Sequence, residues 1–412
     1  MEKFIKILLF ISRWFVGIVF IYSGFVKGVD PLGSMYKFID YFNAFGMEWA
    51  IPLSFFLSVL QSVIEFAIGI AILLNFKIKI SSWAALLFMA FYTPLTLILA
   101  INNPVHDCGC FGDALILTNW QTFWKNVILF IPVIFIFIKR KKIQSLLHCY
   151  EQWAGIAVGA GLMLIISIYS YNHLPVIDFR PYKTGTYIPE KMIVPEGAPA
   201  DEWKSTFIYK KNNVEKEFSL DNLPDSTWTF VDAKHILIKK GYEPPIHDFE
   251  ITSPDGDDIT DLLLSDNNYT FLLISYKLEG YNYKNQKQID KLAEFCNENR
   301  YNFCGITASS DDDIKKYYEK TGTNFDFYGA DEITLKTIVR SNPGIVLLKS
   351  GTIIDKWHNN DIPDVNKFSN SLIGQSISKY KKLGDNFYIL LLIVSFGLLI
   401  SVYLQIRKSI IK

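Results

Sequence analysis

Long apolar runs separated by short charged loops fill the first 171 residues. Residues 5–25, 51–76, 80–101, 120–138 and 153–171 are apolar with few charges, and a last such run covers residues 387–404. A helix needs about 20 apolar residues to cross a bilayer core, and backbone groups in lipid must be satisfied within the segment. The six runs therefore predict six transmembrane helices. Arg13 interrupts the first run, and no A-x-A-like cleavage site follows it. A retained helix is expected there rather than a removed signal peptide. Between them, residues from about 172 to 385 are polar and charged, so the mean hydropathy of +0.19 averages two unlike parts.

The loops carry an orientation signal. Lys3 and Lys6, Lys77 and Lys79, Lys139 to Lys142, and Arg407, Lys408 and Lys412 occupy alternate loops. By the excess of Lys and Arg on the cytoplasmic side, both termini are expected in the cytoplasm. The loop around Cys108 and the polar region then face outward. Lys125, near the outer end of the fourth run, can reach the interface along its stem. Arg13, near the cytoplasmic end, is expected to snorkel. Met35, Phe38, Ile39, Phe42 and Phe45 recur at helical spacing and predict an interfacial helix in the first outer loop.

The outer region divides in two. Residues 172–246 mix short strand-like runs (206–209, 227–231, 235–238) with turn signals at 211–213 and 223–226, which predicts a small β-rich insert. From residue 247 the pattern alternates. Strands are expected at 247–251, 269–276 and 302–307, with helices at 285–299, 311–321 and 331–339. A hairpin follows from 345–349 and 352–358 around Ser350-Gly351. That alternation fits an α/β layer.

Candidate chemistry concentrates at His106-Asp107-Cys108-Gly109-Cys110-Phe111-Gly112-Asp113. An outward loop sits in an oxidising compartment. A Cys-Gly-Cys disulfide closes a very small ring, so it is strained and readily reduced, which favours thiol–disulfide exchange. A static loop staple is an alternative. A metal site built from His106, Asp107, both thiols and Asp113 is another; its donors suit a soft or borderline metal, at a spacing too tight for an ordinary zinc knuckle. Glu65 lies mid-span with Gln61 one turn earlier. An ionisable group in the membrane is a functional candidate, here for proton relay or for a quinone head group. The alternative is a neutral Glu65 hydrogen-bonded to Thr93 or Thr96 on a neighbouring helix. Cys149 is read as a free thiol without a role. Cys296 and Cys304 could pair or be buried as small apolar groups. Equal numbers of basic and acidic residues, 41 each, with no basic stretch alternating with aromatics, argue against a nucleic-acid partner.

Two resemblances follow from these residues. Arg13-Trp14, Gly17, Phe20, Tyr22 to Lys27 and Asp30-Pro31, with Glu65, Gly69 and Leu73 on the second span, resemble the DoxX/MauE type of four-helix membrane protein. The Cys-Gly-Cys-Phe-Gly loop resembles the MauE branch, tied to methylamine utilisation. The resemblance covers about residues 4–140 and implies a redox-associated integral protein of the bacterial inner membrane. Asp248-Phe249, Asp255-Gly256, Phe271 to Ile274 and Asn342 to Val346 resemble the thioredoxin-like fold of the peroxiredoxin and thiol-reductase type, in which Pro343 takes the place of a cis-proline beside the active thiols. Lys277 to Tyr281 stands where Cys-x-x-Cys is expected, so this module has no dithiol of its own.

The expected architecture is a membrane all-α helical bundle with a periplasmic α/β thioredoxin-like domain lacking Cys-x-x-Cys. Its parts are a DoxX/MauE-like four-helix domain over 1–142, a fifth transmembrane helix over 153–171, a β-rich insert over 172–246, the thioredoxin-like domain over 247–380 and a last transmembrane helix over 387–405. Two functions fit. In the first, Cys108 and Cys110 relay thiol–disulfide or electron exchange between a periplasmic protein client and the membrane, with Glu65 handling protons. In the second, the chain is a non-catalytic envelope scaffold that presents its outer module to a binding partner.

Overall fold

Apolar runs of this length can satisfy their backbone groups only as helices, and the computed structural model builds them so. It describes residues 2–105, 108–145, 147–211, 214–239, 241–323, 325–368, 372–374 and 376. The sixth apolar run, His106 and Asp107 lie outside these residues. The membrane part consists of α1 (Glu2–Val29), α2 (Pro31–Ala44), α3 (Ser54–Leu73), α4 (Ile78–Asn102), α5 (Asn119–Lys139) and α6 (Cys149–Asn172). Among the described residues, five helices are long and apolar enough to span a bilayer. Phe91 and Ile131 on their outer faces are 63% and 66% exposed, as lipid-facing side chains are.

Helix ends follow local chemistry. Asp30 caps α2 by accepting from the Gly33 amide, with Pro31 at the first helical position. Thr118 and Gln121 form a capping box that starts α5. Arg13 does not snorkel. It is buried and donates to the carbonyls of Ile72 (3.2 Å) and Leu73 (2.9 Å), completing the C-terminal end of α3. The bundle core is built from Val16 and Phe20 of α1, Ile68 and Ile72 of α3, Met89 of α4, and Leu129 and Val133 of α5.

Beyond α6 come a short helix α7 (Ile188–Met192) and an antiparallel sheet of β1 (Glu202–Lys211), β2 (Val214–Ser219) and β3 (Thr229–Lys239), in the order β2-β1-β3. The runs predicted as separate strands at 227–231 and 235–238 join, from Thr229 on, in the one strand β3. The following unit contains α8 (Thr260–Ser265), β4 (Tyr269–Ser275), α9 (Gln286–Glu298), β5 (Asn302–Thr307), α10 (Asp311–Thr321), β6 (Phe327–Gly329), α11 (Glu332–Ile338), β7 (Gly344–Lys349) and β8 (Thr352–His358). Its sheet runs β6-β5-β4-β7-β8. The first three strands are parallel, and β7 and β8 are antiparallel additions to β4. The Asn342–Pro343 peptide before β7 is cis.

Successive residues of the central strands serve two cores. Leu272, Ile274, Val346 and Leu348 face one; Phe271, Leu273, Ile345 and Leu347 face the other. Cys304 belongs to the first and Cys296 to the second, so the sheet separates them. Both are free thiols, and burial pushes each pKa up to about 12.

The expected domain boundary at residue 247 lies too late. Tyr182 and Ile188 are 1% exposed and pack into the first core, and Gly185 N donates to Ile353 O at 2.8 Å. This strap is fixed by the buried Lys356, which bonds the Tyr182 carbonyl at 2.8 Å and pairs with Asp178, itself held by Arg180. The expected strand at 247–251 is irregular; its buried side chains Phe249 and Ile251 nevertheless join the same core. Asp331 caps α11 through the amides of Ile333 (2.8 Å) and Thr334 (2.9 Å). Replacing it with Ala should lower the stability of this unit by about 1 kcal/mol, read as an earlier guanidinium midpoint.

Candidate functional site

The loop between α4 and α5 is set by its glycine. Gly109 has φ +63°, and a Cβ there would lie 2.9 Å from Lys37 Cγ. That backbone geometry brings the Cys108 and Cys110 sulfurs to 3.1 Å, with both thiols free. The loop is anchored from two sides. Tyr41 of α2 donates to the Cys108 carbonyl, and Ser23 of α1 donates to the Cys110 carbonyl at 2.9 Å.

Glu65 does not take Thr93 or Thr96 as partner. Thr96 donates to the Tyr92 and Thr93 carbonyls of its own helix and accepts from Asn126. The Glu65 oxygens instead accept from Lys27 Nζ at 2.7 and 2.9 Å, and from Gln61 at 2.7 Å. The side chains of Lys27 and Glu65 are 8% and 2% exposed, so this is a buried ion pair. It shares a cavity of about 30 Å³ with Cys110, Ser23, Tyr92, Lys125 and Asn126. Lys125 Nζ sits 4.4 Å from the centre of the Phe111 ring.

The two thiols are electrostatically unlike. A hydrogen bond from Cys108, aided by Lys125 and Lys27, holds Cys110 down to about 5 against the upward push of burial. Giving that hydrogen bond, together with burial, raises Cys108 well above its ordinary value. Cys110 is thus the more readily ionised thiol of the pair, and Cys108 its hydrogen-bond donor.

A second cavity, of about 200 Å³, lies on the other side of the loop, walled by Gly109, Gly112 and Asp113 below and Arg180, Lys336 and Arg340 above. Arg340, just after α11, reaches Asp30 at 2.8 Å and Asp113 at 3.1 Å and donates to the Lys336 carbonyl. Burial pulls the Arg340 pKa down, but Asp30 and Asp113 outweigh it and hold the guanidinium above its usual range. Burial alone would raise Asp30; Arg340 and Arg180 reverse that and lower it. Tyr36 of α2 lies beneath the cations of Lys336 and Arg340.

Residues 5–139 match the family model of the methylamine utilisation protein MauE. The N-terminal segment is similar to the membrane domain of that family. Residues 203–240, the β1–β3 sheet, match a domain of unknown function, DUF8463. No curated protein and no solved structure gave a match.

Of the expected site residues, Cys110 and Glu65 line the inner cavity, and Cys108 joins them only through its sulfur contact with Cys110. Asp113 turns instead to Arg340. Among the described residues no cluster of three His, Cys, Asp or Glu side chains could hold a metal ion. A cavity of about 30 Å³ is the scale of one water. Sequence reasoning missed Lys27, Lys125 and Arg340. The available signal was Ser23 and Lys27 four apart at the end of the first run, which puts a cation on the same helix face as the hydroxyl.

Proposed function

We propose that the chain is a membrane thiol–disulfide exchange protein of the bacterial inner membrane, acting through Cys108 and Cys110 on an extracytoplasmic protein client. The observation that carries this reading is the juxtaposition of two free sulfurs at 3.1 Å, with Cys110 lining a cavity it shares with Lys27 and Lys125. Cys110 is the attacking thiolate. It forms a bond to one sulfur of a client disulfide, and the other client sulfur leaves as a thiolate. Cys108 then gives its proton to a departing client thiolate and attacks Cys110. The Cys108–Cys110 disulfide forms, and the second client thiol is released. Two electrons pass to the client with two protons, one from Cys108 and one that Cys110 gave up on ionising, and a second protein dithiol restores the loop by the reverse steps.

The cap supports this reading as a thioredoxin-like module that has lost its own dithiol. Strands β5, β4, β7 and β8 have the order and directions of that fold, and cis-Pro343 opens β7 three residues beyond Arg340, which contacts the dithiol loop. We place the cap and the loop in the periplasm and both termini in the cytoplasm, because Lys77, Lys79 and Lys139 to Lys142 lie at the opposite ends of the helices.

The test is trapping. Reduced full-length protein is mixed with a synthetic peptide disulfide, and intact mass is recorded. Cys108→Ser should retain a dithiothreitol-sensitive adduct on Cys110, whereas Cys110→Ser and the double variant should not. An adduct confined to Cys110→Ser would reverse the assigned roles, and equal adducts on both single variants would remove the distinction between them. No adduct on either would leave the scaffold reading in its place.

A further inference from the structure

Lys27 stands between Glu65 and the dithiol loop. Its Nζ lies 2.7 Å from Glu65 and 3.1 Å from Ser23 Oγ, and Ser23 in turn donates to the Cys110 carbonyl. Lys27, Glu65, Ser23 and Cys110 line one water-sized cavity, closed by Tyr92 of α4 and by Lys125 and Asn126 of α5. A water needs several polar partners to be held in such a space, and these walls supply them. A lone charge in an apolar bundle is costly, while one ammonium matched by one anion is tolerated.

We infer that Lys27 and Glu65 form the proton relay of Cys110, with Glu65 as the proton acceptor and Lys27 as the positioning cation. The inference rests on the exchange reading above. When Cys110 ionises, its S–H bond breaks, the electron pair stays on sulfur, and the proton crosses the cavity to the Glu65 carboxylate. The anion has moved from Glu65 to Cys110, and the total charge of the cavity is unchanged. Once the thiolate attacks, Glu65 returns the proton toward the client thiolate that leaves. The charged and titratable groups facing Cys110 are Cys108 on its own loop, Lys27 from α1, Glu65 from α3, Tyr92 from α4 and Lys125 from α5.

The experiment is the pH profile of Cys110 alkylation by iodoacetamide in detergent-solubilised full-length protein, read by peptide mass spectrometry. Lys27→Met should move the midpoint up by at least about one pH unit, a tenfold loss of thiolate below both midpoints. Glu65→Gln should move it down, because Cys110 becomes the anion nearest Lys27. Lys27→Arg should stay near the parent profile. Opposite signs for the two partners are the signature of the relay. A purely structural ion pair loosens the loop in both variants, so shifts in one direction, or none in Glu65→Gln, overturn the inference. If Lys27→Met does not fold, Glu65→Gln is compared with the Lys27→Met/Glu65→Gln double variant, which orphans no charge. The double variant should titrate higher, and equal midpoints overturn the inference. Failure of the relay leaves the Cys108→Ser adduct intact, whereas failure of the exchange reading removes that adduct in otherwise unaltered protein.

Discussion

Arg340→Met should separate the outer unit from the membrane domain. The Arg340 side chain is 6% exposed and is shared by Asp30, at 18%, and Asp113, at 34%. Removing the shared cation leaves Asp30 buried and uncompensated, a change that costs about 3–5 kcal/mol for a fully buried pair. Asp113 is one-third exposed, and solvent screens its share. The lower end is therefore expected, about 3 kcal/mol, or on the order of a hundredfold in the equilibrium between docked and undocked cap. Gly33 sharpens the point: a Cβ there would lie 2.8 Å from an Arg340 nitrogen, so the guanidinium is seated against bare backbone. Hydrogen exchange is the measurement. Amides of α2 and of residues 109–115 should exchange faster in Arg340→Met, and iodoacetamide should reach the loop thiols sooner. Asp30→Asn in the same background should recover part of the protection, because it removes the orphaned charge. Unchanged exchange in Arg340→Met would show that the cap is held by other contacts.

That contact also shows where sequence reading ends. The spans were legible because length and hydropathy are local properties, and the bilayer leaves few alternatives. Helix α10 starts and ends where its acidic first turn and Gly322 put it, with Gly322 in the left-handed region. The cysteine pair was legible as a motif. Its direction was not: Cys110 faces into the bundle because Ser23 and Tyr41 pin the loop from two helices, and neither bond has a sequence signature. Glu65 was identified as a candidate from its depth alone. Its partner Lys27 lies 38 positions earlier, just past the end of the first apolar run. The strap around Tyr182 and Ile188 was assigned to the insert because isolated apolar residues in a polar stretch carry no period. Only their packing under β8 reveals that they belong to the core.

Gly69→Val should collapse the inner site without touching any polar group in it. Helices α1 and α3 approach through Gly17, Gly24 and Gly69. A Cβ at Gly69 would lie 2.6 Å from Ile21 N, and one at Gly24 would lie 2.6 Å from Phe66 N and 2.7 Å from Ser62 O. The obstructing atoms are backbone, so no rotamer change relieves the clash and the helices must part. In lipid, where helices gain little from hydrophobic exclusion, close packing through small residues is a main source of association. Overpacking of this kind typically costs about 1–3 kcal/mol, and a branched side chain against backbone belongs at the upper end. Lys27 lies on α1 and Glu65 on α3, so the same separation lengthens the 2.7 Å contact that joins them. Two readouts should therefore move together. The melting temperature of the purified protein should fall, and the alkylation midpoint of Cys110 should move toward that of an ordinary thiol as Lys27 withdraws. Gly161 provides the control: a Cβ there meets nothing within 4 Å, so Gly161→Ala should shift neither. A Gly69→Val protein that melts early yet keeps the parent alkylation profile would show that the Cys110 environment does not depend on how α1 and α3 pack.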